Sequence, residues 1–313
     1  MAVLNSNFPS LRVRRSSYFF LFLMILIFSP IFIFSKQIIP PLNSVTYLFW
    51  RYFIATLFYL VLLSITHTFQ RVWALFRQYP KDIFVLGIVL QTIPLLLIFA
   101  ATPFTTASNQ IIINNFTLAA VIIFNRLIRK KSPGKLLITA ALLNFAGILL
   151  IMWPLNFAQN PTLVGDLLML LGVILGSLFV IKMKYVAEKI PSLDISFFLS
   201  ILTSSSLFLV MIIFFPASLN PLALNLSPIQ WFYLLFLGII VSGFGYWIVA
   251  QIYSDPNLSP STISLFSSLI PIGGFILSIT IFGESLYFIN AVGAILVLLS
   301  VFLGSRDRSQ TNK

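Results

Sequence analysis

Long apolar runs alternate with short polar turns from one end of the chain to the other. Runs able to cross a bilayer, for which about 20 apolar residues suffice, occupy 18–36, 45–66, 83–102, 106–126, 135–154, 164–183, 193–215, 229–252, 259–282 and 286–304. Helix-ending residues stand between them: Pro40-Pro41, Pro80, Pro103, Ser132-Pro133-Gly134, Asn160-Pro161, Pro191, Pro216 to Pro228 and Asp255-Pro256-Asn257. No connection is long enough to fold as a soluble domain. The pattern predicts an all-α integral membrane fold of ten transmembrane helices, because backbone groups in lipid must satisfy one another. The first run is longer than a signal-peptide core and no small-residue cleavage site follows it, so it reads as a retained helix.

Composition removes several alternatives. The 313 residues are 59% hydrophobic and 8% charged, whereas a soluble domain carries about a quarter charged residues. There is no Cys and a single His. Disulfides, thiolate chemistry, sulfur-bound metal and a two-histidine metal site are therefore excluded within one chain, and no cofactor is expected.

The net charge of +12 is explained by placement. Basic residues accumulate on the cytoplasmic side of a membrane protein. With the N-terminus inside, 17 of the 19 Lys and Arg residues fall on inner segments. Lys36 is outside and Arg51 lies within the second span. This predicts a multi-pass cell-membrane protein with cytoplasmic tails at 1–17 and 305–313. It also accounts for the basic pI without nucleic acid. Arg126 to Lys131 fits anionic lipid head groups, but a role as topology determinant is the better account of it.

Ten helices divide into halves of five, 18–154 and 164–304, and an odd number per half inverts the second relative to the first. Inverted repeats place a solute near midplane between them. Leu86-Gly87-Ile88 and Leu237-Gly238-Ile239 open the third helix of each half. Gln110, Asn114 and Thr117 form a polar stripe in the fourth helix; Ser264, Ser268 and Pro271 do so in the ninth.

Together these residues resemble the drug/metabolite transporter superfamily, in particular its EamA-type ten-helix members. The resemblance runs through Pro40-Pro41 with Trp50-Arg51-Tyr52-Phe53, then Gly165-Asp166-Leu167-Leu168. It is strongest over 229–304, with Gly243, Gly245-Tyr246, Ser259, Ser261, Pro271 and Gly283-Glu284. One departure stands out: Asn125-Arg126 occupies the place where the family's first half usually has Gly-Glu. The resemblance implies an inverted-repeat carrier for a metabolite, amino acid or other small organic solute.

Candidate solute-binding residues are Arg51, Gln91, Gln110, Asn114, Asn115, Tyr246 and Gln251. Arg51 stands about 9 Å below the outer boundary at ~1.5 Å per residue, a depth at which a guanidinium faces a cavity or a partner. Asn114 and Asn115 point in different directions near midplane, so at least one faces protein or water. Each of these residues has a purely packing alternative: snorkelling for Arg51, interhelical hydrogen bonds for the amides. Gly172 and Gly176 read as a close helix contact. The carboxylates Asp82, Asp166, Glu188, Asp194, Asp255, Glu284 and Asp307 all fall at helix ends, in turns or in the tail. Transport without a midplane coupling carboxylate is the corresponding expectation. The rival classes are a non-transporting receptor or scaffold, and an embedded lipid-modifying enzyme. The enzyme lacks a His-x-x-x-His pair, an acidic cluster or a deep base to work with. Oligomeric state is left open.

Overall fold

The apolar runs become helices in the computed structural model, which describes residues 16–105, 107–130, 132–153, 163–282 and 287–307. In chain order these are α1 (Ser16–Phe28), α2 (Ile31–Leu42), α3 (Ser44–Ile65), α4 (Phe69–Gln78), α5 (Pro80–Phe104), α6 (Ala107–Arg129) and α7 (Lys135–Ile151). They continue as α8 (Leu163–Ala187), α9 (Ser192–Phe214), α10 (Pro228–Ser254), α11 (Pro260–Ser267), α12 (Ile270–Phe282) and α13 (Phe288–Ser305). Nine helical segments among the described residues are long and apolar enough to cross a membrane, and α7, with 17 residues, is a shorter apolar helix. At ~1.5 Å per residue, α7 reaches about 26 Å.

Burial is sorted as a lipid solvent requires. Large apolar side chains such as Leu142, Ile213, Phe214 and Leu127 face outward, while Arg51, Asn144, Thr203, Ser242 and Asn290 are buried. One large core joins α1, α2, α3, α5, α8, α9 and α10. The α7–α13 pair packs mainly on itself, with smaller clusters linking it to α6 and α11. Its seam depends on two glycines. A Cβ on Gly147 would stand 2.8 Å from Gly293 O, and one on Gly293 would stand 2.5 Å from Gly147 O. Gly172, predicted to permit a close contact, meets α5 at Pro94 and Ile98.

Several boundaries differ from the sequence pattern, each for a local reason. The first run breaks at Ser29-Pro30, where Pro30 brings no N–H and Ser29 Oγ donates to Ile25 O at 2.6 Å. The ninth breaks at Ser268-Leu269. Pro40-Pro41 does not end its helix; α2 continues to Leu42. Gln37 O cannot receive a bond from Pro41, and instead accepts from Gln230 Nε2 at 3.0 Å. The chain then reverses at Asn43, whose φ is 50° and whose side chain caps α3 by accepting from Thr46 N at 2.9 Å. The connection after α3 contains the amphipathic α4, whose Trp73 is exposed and whose Arg77 lies 4.9 Å from the Trp73 ring.

Both third-position helices carry a stretch of wider π-helical turns, Val85–Thr92 in α5 and Phe236–Gly245 in α10. In α5, Thr92 Oγ1 donates to Gly87 O at 2.8 Å, and Pro94 follows without an N–H of its own.

Polar contacts tie the helix ends into two sets. At one end, Arg71 pairs with Asp194 at 3.0 Å, Lys182 with Asp82 at 2.5 Å, and Leu137 N donates to Asp307 Oδ2 at 2.9 Å. There too the buried Lys184 donates to Tyr253 O at 2.9 Å and to Asp255 O, a cation on the negative end of α10. At the other end, Ser44 Oγ donates to Phe99 O at 2.7 Å and Trp50 Nε1 to Ser218 O at 3.1 Å. Asn290 Nδ2 donates to Trp153 O at 2.7 Å.

Candidate functional site

Arg51 is the centre of the largest buried polar group. Its side chain is fully buried in α3, where Nε donates to Ser242 Oγ at 2.7 Å and Nη1 to Tyr47 OH at 3.1 Å. Tyr47 OH in turn shares a 2.5 Å bond with Ser35 Oγ of α2. The guanidinium carbon lies 5.5 Å from the Tyr52 ring, and Tyr52 OH donates to Tyr246 OH at 2.9 Å. About two turns along α3, Tyr59 OH donates to Gly243 O. Among the described residues no carboxylate pairs with Arg51. Hydroxyls and a π face carry the whole charge. The π-helical stretch of α10 helps to make this possible, because Gly238 lets α3 approach: a Cβ there would stand 2.7 Å from Ile54 and 3.2 Å from Arg51 O.

A second buried group joins α5 to α9. Gln91 Nε2 donates to Thr203 Oγ1 at 3.3 Å, the Thr203 and Thr92 hydroxyls share a 3.0 Å bond, and Gln91 Oε1 is buried with no partner among the described residues. Here Gly87 allows the approach, with Leu202 opposite it.

Between the two halves lies a cavity of about 260 Å³. Phe28 and Ile31 reach it from either side of the α1–α2 break, and Asn114, Asn115 and Thr117 from α6. Tyr246 and Tyr253 enter from α10, and Ser264, Ser267 and Ser268 from α11 and the turn that follows it. Leu95, Ile98 and Phe99 of α5 and Val180 of α8 complete an apolar wall. The Ser264 hydroxyl is buried without a partner among the described residues. Ser268 Oγ accepts from Asn144 Nδ2 of α7, which also donates to Ser300 Oγ at 3.2 Å. The cavity wall is thereby tied to the α7–α13 pair.

A wider cleft of about 450 Å³ runs between α3 and α9, lined by Phe49, Trp50, Phe53 and Phe208. Its inner hydroxyls, Thr56 and Ser204, already bond each other at 3.2 Å. An aromatic, outward-facing lining suits acyl chains, so the smaller, polar cavity is the better solute site.

The structure divides the seven sequence candidates. Asn114, Asn115 and Tyr246 line the cavity. Arg51 stands behind it, linked to it through the Tyr52–Tyr246 bond and through Tyr47, whose ring packs edge-on against Phe99. Gln91 belongs to the α5–α9 group, and Gln110 and Gln251 are not among the lining residues. Glu284 lies outside the described residues. Phe28, Ile31, Val180 and Tyr253 were not foreseen as lining residues. Ser29-Pro30 inside the first apolar run was the one available signal, since a proline within a helix exposes the backbone beside it.

Comparison with known proteins agrees with this architecture. A crystal structure with 14% sequence identity superposes with a TM-score of 0.74 over 93% of this chain and 96% of its own, which shows a common fold. An uncharacterized transporter from Archaeoglobus fulgidus is 25% identical over 219 residues, 68% of this chain and 71% of that protein. The uncharacterized transporter YetK from Bacillus subtilis is 26% identical over 233 residues, 71% and 68% of the two chains. The model of the EamA-like transporter family matches two stretches, residues 15–153 and 163–306, which together span nearly the whole chain. The chain therefore belongs to the EamA-like transporter family and is a multi-pass membrane transporter of small molecules.

Proposed function

We propose that this transporter is a ten-crossing carrier built from two inverted five-helix repeats, 18–154 and 164–304. Both termini face the cytoplasm of the cell membrane, and a small organic solute moves by alternating access through the cavity between the repeats. The observation that carries this reading is the cavity itself, walled by α1, α2, α5, α6, α8, α10, α11 and α12, with amide and hydroxyl groups turned into it.

Three further observations support it. The start of α7 bonds the end of α13 through Leu137 and Asp307, and the end of α7 bonds the start of α13 through Trp153 and Asn290. The two helices are thus antiparallel, as the fifth and tenth of an inverted pair must be. The α5 π-helical stretch packs on α9 at Leu202, and that of α10 packs on α3 at Ile54, a reciprocal exchange between halves. Basic residues Arg71, Lys182, Lys184 and Lys189 gather at one set of helix ends, which the positive-inside rule assigns to the cytoplasm.

Reconstituted protein tests the reading. Proteoliposomes should accumulate solutes from a metabolite mixture, and Asn114→Ala should lower that accumulation while the protein remains folded. Accumulation equal to that of protein-free vesicles would reject carriage. The absence of native cysteine permits a clean topology test. Glu188→Cys should react only with reagent on the cytoplasmic side, and Asn220→Cys only with reagent outside. Both residues are exposed.

A further inference from the structure

We infer that the cavity is built for an uncharged, amphipathic solute of metabolite size. The inference deepens the proposed function and rests on the cavity being the solute site. Among the described residues that line it there is no Lys, Arg, His, Asp or Glu. Its polar groups are the amides of Asn114 and Asn115 and the hydroxyls of Thr117, Tyr246, Tyr253, Ser264, Ser267 and Ser268.

Those groups differ in how far they are already engaged. Ser267 Oγ donates to Ile263 O at 2.9 Å, and Asn115 Nδ2 to Ile111 O at 3.4 Å. Ser264 Oγ is buried with no partner among the described residues. Asn114 makes no side-chain hydrogen bond with them either. An unpaired buried hydroxyl and an open amide match a ligand that brings its own hydrogen-bonding groups, such as alcohol, amide or ring nitrogen. The opposite wall, Phe28, Ile31, Leu95 and Phe99, matches a ring or short alkyl part.

A net charge fits this lining poorly. Amide and hydroxyl dipoles replace the hydration of a neutral polar group well, but they leave a full charge without a counter-ion in a low-dielectric space. The nearest cation on this network, Arg51, is fully buried and already donates to Ser242 and Tyr47, with the Tyr52–Tyr246 bond between it and the cavity. Its attraction for an anion is indirect, whereas the loss of hydration on entry is immediate. The volume of about 260 Å³ falls just below the ~300–1,000 Å³ typical of small-molecule pockets, which matches a single small metabolite.

The test is a thermal-shift screen of the purified full chain against membrane-impermeant metabolites balanced among neutral, anionic, cationic and zwitterionic members. Matched probes anchor the panel: uridine with orotidine, and phenyl glucoside with phenyl glucuronide and phenyl glucosaminide. Wild type is compared with Asn114→Ala and with the milder Asn114→Ser, which guards against a misfolded variant. The expected result is stabilisers concentrated in the neutral class, bound at least tenfold more tightly than their charged counterparts and weakened by both substitutions. Asn114→Asp should reverse the order, weakening neutral ligands and admitting the cationic counterpart. Asn114-dependent stabilisers concentrated in a charged class would overturn the inference and leave the cavity as the solute site; an anionic preference would point to Arg51 as counter-ion. No stabiliser in any class, or stabilisers indifferent to position 114, would overturn the inference together with the reading of the cavity on which it rests.

Discussion

The contact of α3 with α10 and the contact of α5 with α9 share one architecture and differ in chemistry. In each, a Leu-Gly step opens a π-helical stretch, and the glycine lets a neighbouring helix from the other half close in. At the α5–α9 contact the approach is sealed by neutral groups, Gln91, Thr92 and Thr203. At the α3–α10 contact it is sealed by a guanidinium bonded to Ser242 and Tyr47. Only the charged version connects onward to the cavity, through Tyr52 and Tyr246. The lesson is that the backbone device sets helix distance, while the side chains placed on it decide whether a contact merely seals or also communicates with the site.

The largest expected effect falls on the charged contact. Ser242→Ala removes the acceptor of Arg51 Nε and leaves a charged donor unpaired, which should cost about 1.5–3 kcal/mol of stability. Adding Arg51→Met should recover most of that loss, because Tyr47 keeps Ser35 as a partner and no buried donor is stranded. Unfolding of the two single variants and the double variant in detergent measures this. Additive losses would show that the guanidinium draws little from Ser242.

The glycines give the next contrast. Gly238→Ala sets a methyl against the β-branched Ile54 and the Arg51 carbonyl, at 2.7 and 3.2 Å. The cost should be about 1–3 kcal/mol, since a β-branched side chain has few rotamers to retreat to. Gly87→Ala meets only the Leu202 side chain and should cost less. Equal melting temperatures for the two would mean that the α5 and α10 contacts are equally tight after all.

Thr203→Val, which deletes the shared partner of the neutral contact, should cost about 1 kcal/mol and leave solute binding unchanged. Tyr246→Phe should be the mildest for stability, near the ~0.6 kcal/mol average of an interhelical bond in a membrane. Solute affinity should nevertheless fall, because Tyr246 belongs both to the cavity and to the Arg51 group. If Tyr246→Phe binds solute as wild type does, the charged contact is as purely structural as the neutral one.

Much of the fold was legible without coordinates. The apolar runs that become helices and the two Leu-Gly-Ile steps lie in plain view along the chain. Of the polar stripe Gln110, Asn114 and Thr117, the last two line the cavity and Gln110 does not. Arg51 was recognisable as a residue that must have partners, since no lipid-facing position tolerates it. Its partners were not recognisable. Ser242 is one of many serines in apolar helices, and nothing about it marks a residue 191 positions away. Pro40-Pro41 misled because a proline's effect depends on whether another group takes up the freed carbonyl, here Gln230.

Hydrophobicity is a property of each segment with respect to its solvent, so the membrane class and the apolar helices follow from order and composition alone. Which polar group meets which is a property of helix packing, fixed by glycine contacts, π-helical stretches and helix breaks that bring distant positions within 3 Å. That packing turned Arg51 toward Ser242 and behind the cavity wall, and it recruited Phe28, Val180 and Tyr253 to a wall no single helix contains.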